Sequence, residues 1–363
     1  MTNEACPFDR HKIKRIFVRA VNWLGDAVLT TPAIGAIRSS FPAARITLLA
    51  TPLVAELFSP HDRIDEVLIY YKNGCHAGLG GRLRLAGELR ARRFDLAILL
   101  QNAFDAALIA WLARIPVRIG YRTDGRGLLL SHGSALSGET KKLHHVEYYL
   151  RMLAHFGIVS GSKTLSLTVT AEEEREAAAL LHEAKIEADD FLLGLNPGAT
   201  YGSAKRWYPE KFAAVADELR ERWGGKAIIT GGPDERGIAD EIAAAVKVKC
   251  LNLAGRTSVR QLMALIKRCD FFITNDSGPM HIAAAFEVPL VAIFGPTDHT
   301  TTSPFSEKSI VVSQDVECAP CLLRKCPTDH RCMKGVTVED VVAAASKLRV
   351  TTGDGRGGNY GPA

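Results

Sequence analysis

Short apolar runs alternate with longer amphipathic stretches along most of the chain, and this alternation predicts the secondary structure. In the first half, the apolar runs predict strands at 13–20, 45–50, 66–70, 95–100 and 117–120. The stretches between them predict helices at 27–41, 83–93 and 106–113, followed by a closing helix at 145–156. Strands that alternate with helices favour right-handed βαβ units. The first half is therefore predicted to be a doubly wound domain with a parallel sheet.

The second half repeats this pattern. Strands are predicted at 191–195, 226–230, 250–253, 271–274, 289–294 and 309–313, and helices at 171–185, 209–223, 234–246, 259–269 and 338–348, with a small-residue helix that ends at 287. We therefore predict an α/β protein of two Rossmann-like doubly wound domains that face a central cleft. The predicted divisions are an N-terminal arm at 1–12, a first domain at 13–165, a second domain at 166–350 and a flexible tail at 351–363. Ligands of open parallel sheets bind at the carboxyl ends of the strands, so the cleft is the expected site.

Composition narrows the classes of function. The 363 residues are 47% hydrophobic and 23% charged, which is typical of a globular protein with more than one domain. A formal net charge of +5 and a sequence pI of about 8.7 favour an anionic ligand or surface. No basic arm or aromatic RNA-binding pattern predicts a nucleic-acid partner. The start lacks the apolar segment of a signal peptide and no apolar run reaches membrane-spanning length, so a cytoplasmic location is expected.

Four loops that follow predicted strands in the second half carry small residues, hydroxyls, a lysine and an acid. They span 196–207, 231–235, 254–257 and 275–278. Loops that follow parallel strands emerge on one edge of the sheet, so these groups are expected to converge. Thr200 can donate to a phosphate, Lys205 can neutralise it, and Glu235 can accept from ribose hydroxyls. The glycines allow the backbone to approach that phosphate, and the whole set predicts a nucleoside diphosphate site.

Each of these residues also has a purely structural explanation. The glycines can simply form turns, Lys205 and Arg206 can be a solvated pair, and Asp276 can cap the helix that follows. The coincidence of four such loops favours the nucleotide site. None of these loops ends in the Gly-Lys-Ser/Thr of a P-loop, and the first strand does not lead into G-x-G-x-x-G. Kinase-type and simple dehydrogenase functions are therefore disfavoured.

Asp26 directly follows the first strand and is expected at the same cleft. A carboxylate across from a phosphate site is placed to act as a general base on an incoming nucleophile. The alternative is that Asp26 only caps the helix beginning at Ala27; the opposing phosphate site favours the base. His281 lies one turn into the helix after Gly278 and can reach a donor phosphate or hydroxyl, although a histidine there is nearly as often a packed polar residue.

An arginine-rich stretch at 78–93 contains Arg82 and Arg84 on either side of Leu83. These arginines suit a phosphorylated or carboxylated acceptor, and the apolar residues among them suit a lipid-bearing surface. A solvated amphipathic helix with a flexible lead-in explains the stretch equally well.

Four cysteines crowd into the segment 318–332 with the spacing C-x2-C-x4-C-x5-C. They are Cys318, Cys321, Cys326 and Cys332. Four thiolates can hold one tetrahedral zinc ion, but only the first pair has ordinary zinc-ribbon spacing. Reduced thiols that pack a loop are favoured over a structural metal site.

Four motifs resemble those of the bacterial lipopolysaccharide heptosyltransferases of glycosyltransferase family 9. They are N-W-L-G-D at 22–26, P-G-A-x-x-G-x-A-K-R-W at 197–207, N-D-S-G-P-M-H at 275–281 and F-G-P-T-D at 294–298. The resemblance spans about 13–348, and the A-K-R-W form and the cysteine cluster are more similar to the second heptosyltransferase than to the first. It implies the GT-B fold and an inverting transfer of heptose from ADP-L-glycero-D-manno-heptose to the heptose/Kdo inner core of lipopolysaccharide, without a catalytic metal or cofactor. It also implies an enzyme that meets its acceptor peripherally, at the cytoplasmic face of the inner membrane.

The resemblance assigns roles by position. Asp26 would deprotonate the acceptor hydroxyl, and Lys205 would offset charge on departing ADP. The residues implied on the donor side are Thr200, Tyr201, Glu235, Asp276, Ser277, Gly278 and His281. Among these, Glu235 has a looser motif and Tyr201 sits where family members differ. Acceptor residues vary in the family, so Arg82 and Arg84 are carried over only weakly.

Alternatives remain open at this point. The acceptor can be that of the first heptosyltransferase or another sugar, or the chain can be a sugar-nucleotide epimerase on the same fold. A third alternative is a non-catalytic nucleotide- or glycan-binding module in which Asp26 is only a cap. Acceptor-dependent release of ADP distinguishes a transferase from the other two classes.

Overall fold

In the computed structural model the chain divides into two compact units, Met1–Thr168 and Val169–Ala363, and residues 7–352 are described. The predicted domain boundary, between 165 and 166, lies next to this division. Residues 1–6 of the predicted arm and residues 353–363 of the predicted tail lie outside the described residues.

The first unit is built on a six-stranded parallel sheet in the order β3-β2-β1-β4-β5-β6. The strands are β1 (Arg15–Arg19), β2 (Arg45–Ala50), β3 (Glu66–Ile69), β4 (Leu96–Leu99), β5 (Val117–Tyr121) and β6 (His132–Ser134). The first five were predicted from apolar runs. The sixth was missed because it is only three residues long and begins with two partly exposed residues, so it leaves no apolar run in the sequence.

Seven α-helices lie in the described part of this unit, residues 7–168. They are α1 (Leu24–Leu29), α2 (Thr31–Ser40), α3 (Pro52–Leu57), α4 (Gly78–Ala91), α5 (Phe104–Leu112), α6 (Gly138–Lys141) and α7 (His145–Ala154). Single turns of 3-10 helix lie at Arg10–Lys12 and Arg126–Leu129. The helix predicted at 27–41 starts earlier and divides at Thr30, because Pro32, in the first turn of α2, has no N–H to continue the hydrogen-bond ladder of α1. The predicted flexible lead-in to the arginine-rich helix is wrong, since α4 already begins at Gly78.

The second unit repeats the architecture with the sheet order β12-β11-β10-β7-β8-β9. Its strands are β7 (Leu192–Asn196), β8 (Lys226–Ile229), β9 (Leu251–Asn252), β10 (Phe271–Asn275), β11 (Leu290–Ile293) and β12 (Ser309–Val312). Counted along each unit, both sheets have the same order, with the first and fourth strands adjacent at the centre. The chain changes direction across the sheet between β1 and β4, and between β7 and β10. Open α/β sheets bind ligands at such switch points.

The helices of the second unit surround this sheet. They are α8 (Ala171–Glu183), α9 (Pro209–Trp223), α10 (Arg236–Ala245), α11 (Val259–Arg268), α12 (Gly278–Ala285), α13 (His299–Thr302), α14 (Arg331–Lys334) and α15 (Val338–Thr352). Single 3-10 turns lie at Ser203–Lys205 and Pro233–Glu235. Local signals fix several ends: capping boxes at Thr170 and Ser258 start α8 and α11, and Gly224 with φ of 73° ends α9. Within residues 7–352, no helix combines the length and apolar character needed to cross a membrane.

The core of the second unit also shapes the end of the central strands. Gly194 in β7 faces the ring of Phe272 in the neighbouring strand, and a Cβ at this position would overlap that ring. Trp207, which is fully buried, donates its indole N–H to the carbonyl of Val336 at 3.1 Å. The chain that leaves β7 is therefore anchored to the core at Trp207, which constrains the intervening loop at 197–206.

Candidate active site

Two buried asparagines join the loops at the switch point of the second unit. Asn196, the last residue of β7, donates to Ser277 Oγ at 2.9 Å and to Thr274 Oγ1 at 3.3 Å. Asn275, the last residue of β10, donates to the carbonyl of Pro197 at 2.7 Å and accepts from the Trp207 N–H at 3.2 Å. Because buried amides need such partners, each strand end fixes the loop of its neighbour.

An ion pair lies between the same two loops. Lys205 Nζ lies 2.6 Å from Asp276 Oδ2, and the Asp276 residue is 5% exposed. The same carboxylate oxygen accepts from Thr297 Oγ1 at 2.5 Å, which brings in the loop after β11. Asp276 therefore does not cap α12, whose N-cap is Ser277 without a side-chain hydrogen bond. Three sequence motifs meet at one buried carboxylate.

Glu235 brings the loop after β8 to this place. Its carboxylate accepts from the Gly232 N–H at 2.7 Å and lies directly against Gly198. A Cβ at position 198 would overlap that carboxylate, so the glycine is required by the close approach. The predicted convergence of the first two loops with the Asp276 loop is present in the structure. The third loop, at 254–257, instead contacts the second loop, through the Gly255 N–H to the carbonyl of Gly231 at 2.8 Å.

The remaining donor-side candidates surround this centre. Thr200 lies exposed in the turn after β7, and the ring of Tyr201 lies 4.9 Å from Lys205 Nζ. Gly278 is the first residue of α12, and His281 is a buried residue of the same helix with 4% exposure. The burial of His281 agrees with both interpretations given for it.

In the first unit, Asp26 lies in the first turn of α1 rather than at its N-cap, which is Trp23. The alternative in which Asp26 caps a helix beginning at Ala27 is therefore wrong. Its Oδ1 lies 3.2 Å from Nδ1 of His145, the first residue of α7, and both side chains are about one third exposed. Tyr149, fully buried on the same helix, has its pKa raised by burial and, secondarily, by the charge of Asp26. The sequence pattern does not indicate His145, because nothing local relates it to a residue 119 positions away.

The two candidate acceptor arginines have different surroundings. Arg82 forms an ion pair with Asp105, whose other oxygen accepts from Tyr70 OH at 2.7 Å. Burial, together with the Asp105 carboxylate, raises the pKa of Tyr70 to about 12. Arg84 is exposed, and among the described residues no carboxylate pairs with it. The structure thus builds Arg82, but not Arg84, into a network.

Two buried arginines extend this edge and were not predicted. Arg19, at the end of β1, lies with its guanidinium carbon 5.0 Å from the Tyr70 ring centroid and donates to Asn22 Oδ1 at 2.8 Å. Arg126 donates to Asn102 Oδ1 at 2.9 Å, and Asn102 follows β4 at the switch point. Burial lowers the pKa of each arginine to about 10. The sequence signal that could have indicated Arg126 was its partner Asn102, which stands just after a central strand.

The cysteine segment does not assemble a four-thiolate centre. Cys318 and Cys321 are exposed, Cys326 is half-buried and Cys332 is buried. Across residues 7–352, no three His, Cys, Asp or Glu side chains are arranged to hold a metal ion. Burial raises the pKa of Cys332, whereas the hydroxyl of Thr328 lowers that of Cys326. The zinc alternative therefore lacks structural support.

The chain is similar to known proteins over most of its length. The model of glycosyltransferase family 9 (heptosyltransferase) matches residues 82–331. The lipooligosaccharide heptosyltransferase 2 of Campylobacter jejuni is 34% identical over 344 residues, which are 92% of this chain and 98% of that protein. The crystal structure of a family 9 glycosyl transferase from Veillonella parvula has a TM-score of 0.85 at 27% identity and covers 95% of this chain and 98% of its own. The E. coli ADP-heptose lipopolysaccharide heptosyltransferase II has a TM-score of 0.78 at 27% identity, covering 93% and 99%.

These similarities confirm the predicted fold class and the predicted resemblance. The two six-stranded parallel sheets with their helices are the Rossmann-like units of a GT-B protein. The relatives named above include heptosyltransferases of the second type, as the motifs indicated. The chain belongs to glycosyltransferase family 9, the heptosyltransferase family.

Proposed function

We propose that this chain transfers heptose from ADP-L-glycero-D-manno-heptose to the heptose/Kdo inner core of lipopolysaccharide, with inversion at the anomeric carbon. The observation that carries the proposal is the buried Lys205–Asp276 pair at the switch point of the second unit. Relatives of the chain are named as heptosyltransferases of lipooligosaccharide and of lipopolysaccharide, and one name includes the donor ADP-heptose. The names of these relatives support the donor and acceptor class, and the ion pair supports a cation at the donor's pyrophosphate.

The second unit supplies the donor-binding groups in this proposal. Lys205 holds the pyrophosphate and offsets the charge that develops on ADP as it leaves. Thr200 donates its hydroxyl to a phosphate, and Glu235 accepts from the ribose hydroxyls. The residues proposed to contact phosphate and sugar beside them are Tyr201, Asp276, Ser277, Gly278 and His281. No metal ion is required in this scheme.

Asp26 is the proposed general base. Its carboxylate takes the proton from the acceptor hydroxyl, and the oxygen attacks the anomeric carbon on the face opposite ADP. The bond between that carbon and the phosphate oxygen breaks, and ADP leaves with the electron pair. His145 supports this role because its Nδ1, 3.2 Å from Asp26 Oδ1, can hold the carboxylate in position.

We further propose that the acceptor is met at a membrane surface, with the arginines of the first unit near its anionic groups. Large apolar side chains lie exposed on segments at the carboxyl edge of the first sheet and on α4, beside Arg82 and Arg84. They include Trp23, Tyr71, Leu79, Leu83 and Phe104. Exposed apolar and basic groups together favour an anionic lipid surface. Co-sedimentation with anionic but not with neutral vesicles is the expected result, and equal binding to both would contradict it.

One experiment tests the activity directly. The protein is incubated with ADP-heptose and a series of truncated lipopolysaccharides that differ by one inner-core sugar, and the masses of the products are measured by mass spectrometry. We expect one acceptor to gain one heptose with release of one ADP, and we expect added EDTA to leave the rate unchanged. The proposal would be refuted if ADP were released in the absence of an acceptor, or if no acceptor received heptose. A loss of activity with EDTA would remove only the metal-independent scheme.

A further inference from the structure

The cysteine segment, 318–332, packs against the loop that carries Lys205. The Ala204 N–H donates to the carbonyl of Arg324 at 3.1 Å, and Tyr201 OH donates to the carbonyl of Leu322 at 2.8 Å. Nε2 of His330 lies 2.7 Å from the carbonyl of Ala204. The cysteine segment therefore forms a second layer over the Lys205 loop.

Gly202 shows how close this approach is. A Cβ at position 202 would overlap the backbone of Arg324, including its carbonyl oxygen. The segment that holds Arg324 is thus fixed relative to Lys205 by a close backbone contact, in addition to the side-chain contacts of Tyr201 and His330. The backbone of Arg324 therefore has a fixed position beside the Lys205 loop, and its side chain extends from that position.

The positive charge of Lys205 is already balanced within the protein, so a bound phosphate would find no uncompensated charge there. The ammonium of Lys205 is already paired with the buried carboxylate of Asp276, so the pair carries no net charge. The pyrophosphate of a nucleotide sugar carries about two negative charges at neutral pH, and charged oxygens brought to a partly buried site need compensation. A second cation close to Lys205 would supply that compensation.

Arg324 meets that requirement. Its guanidinium carbon lies 5.3 Å from the centroid of the Tyr201 ring, and Lys205 Nζ lies 4.9 Å from the same centroid. The two cations are therefore no further apart than the sum of these two distances. Within residues 7–352 no carboxylate pairs with Arg324, and the residue is exposed. Its planar group can donate two parallel hydrogen bonds to phosphate oxygens, which an ammonium cannot do.

We propose that Arg324 binds the pyrophosphate of the nucleotide-sugar donor together with Lys205, and that the Tyr201 ring, which lies near both cations, holds them in place. This inference rests on the proposed function, because it assigns a further residue to the same donor site. It also gives the cysteine segment a role: the segment carries a donor-binding group and is not only packing for the loop.

The test compares Arg324→Gln with Lys325→Gln, a matched control that removes the same charge from the next residue of the same exposed segment. ADP, AMP and adenosine are titrated into each protein by calorimetry, and the KM for ADP-heptose is measured at saturating acceptor. For Arg324→Gln we expect about 10- to 100-fold weaker ADP binding, a smaller loss for AMP and no change for adenosine. Arg324→Lys should recover part of the ADP affinity, and Lys325→Gln should bind all three ligands normally.

Several results would overturn the inference. Unchanged ADP affinity in Arg324→Gln would show that the guanidinium does not touch the pyrophosphate. Equal losses for ADP and adenosine would show that Arg324 only packs the loop, and a similar loss in Lys325→Gln would show a general charge effect. If the unsubstituted chain itself failed to bind ADP, the proposed function would be refuted, and so would the inference that rests on it. Normal ADP binding and heptose transfer by that chain, with an unaffected Arg324→Gln, would refute the inference alone.

Discussion

The carboxyl edges of the two sheets have the same strand order and opposite chemistry. In the second unit, the loops at this edge carry glycines, buried asparagines and one ion pair, with Gly198 in direct contact with the Glu235 carboxylate. In the first unit, the edge carries long basic and aromatic side chains such as Arg19, Arg126 and Tyr70. The first arrangement lets backbone approach a ligand closely. In the second, the buried arginines hold the strand-end loops together through hydrogen bonds to backbone and amide oxygens. One sheet topology thus supports two differently built edges.

The two edges also differ in how their charges are balanced. Lys205 is paired with a buried carboxylate, so that pair has no net charge before a donor arrives. Arg126 instead donates to the carbonyls of Tyr121 and Gln101 and to the amide of Asn102, which are neutral acceptors. Its positive charge is therefore solvated by dipoles but not cancelled. The two edges thus balance their buried cations by different means, an ion pair in the second unit and neutral dipoles in the first.

The largest expected effect follows from Asp26→Asn, which removes the proposed base without changing the size of the side chain. We expect turnover to fall by about 10²- to 10⁴-fold, because an amide cannot take the acceptor proton. ADP binding should persist, since the proposed donor groups all belong to the second unit. Acceptor-dependent ADP release and calorimetry with ADP measure the two quantities. Near-normal turnover would remove Asp26 as the base.

The next effect is expected for Lys205→Ala, which leaves the buried carboxylate of Asp276 without its cation. ADP affinity and turnover should each fall by about 10- to 100-fold, and the thermal midpoint should drop, because an unpaired buried charge is costly. The double variant Lys205→Ala/Asp276→Asn should regain the thermal midpoint but not the ADP affinity. Recovery of both in the double variant would mean that the lysine acts only on folding, and unchanged kinetics in the single variant would exclude it from the site.

A smaller effect is expected for Gly198→Ala, which tests whether the edge of the second unit depends on close backbone approach. The added methyl group overlaps the Glu235 carboxylate, so we expect a loss of about 1–3 kcal/mol in the free energy of unfolding, together with weaker ADP binding. The control is Gly237→Ala in α10, where a Cβ would have no neighbour within 4 Å. That variant should be unchanged or stabilised by about 0.4–1 kcal/mol. Equal thermal midpoints for the two variants would contradict the argument.

The smallest effect concerns the arginines of the first unit. Arg82→Gln removes the cation paired with Asp105, whereas Arg84→Gln removes an exposed charge with no carboxylate partner among the described residues. We expect the KM for the acceptor to rise by about 3- to 10-fold in the first variant and by less than about 2-fold in the second. Steady-state kinetics with varied acceptor at fixed donor compare them. A larger effect at Arg84 would reverse the assignment.

The sequence determined the strand framework and the donor motifs because both depend on short-range patterns. Buried parallel strands leave continuous apolar runs, which place nearly all of the observed strands, and β6 was missed because three residues cannot form such a run. The donor loops follow their strands directly, so the order of strands, loops and glycines was enough to predict that Lys205, Glu235 and Asp276 belong to one edge.

Only the tertiary structure decided which partners these groups have. The sequence allowed both Asp26 and Asp276 to be helix caps, and the fold instead gives them His145 and Lys205, residues that are 119 and 71 positions away. The contact of Tyr201 with Arg324 was equally invisible, because it joins a strand-end loop to the cysteine segment. Side-chain partners of this kind depend on the relative positions of distant elements, which are set by the packing of the core and leave no periodic trace in the chain.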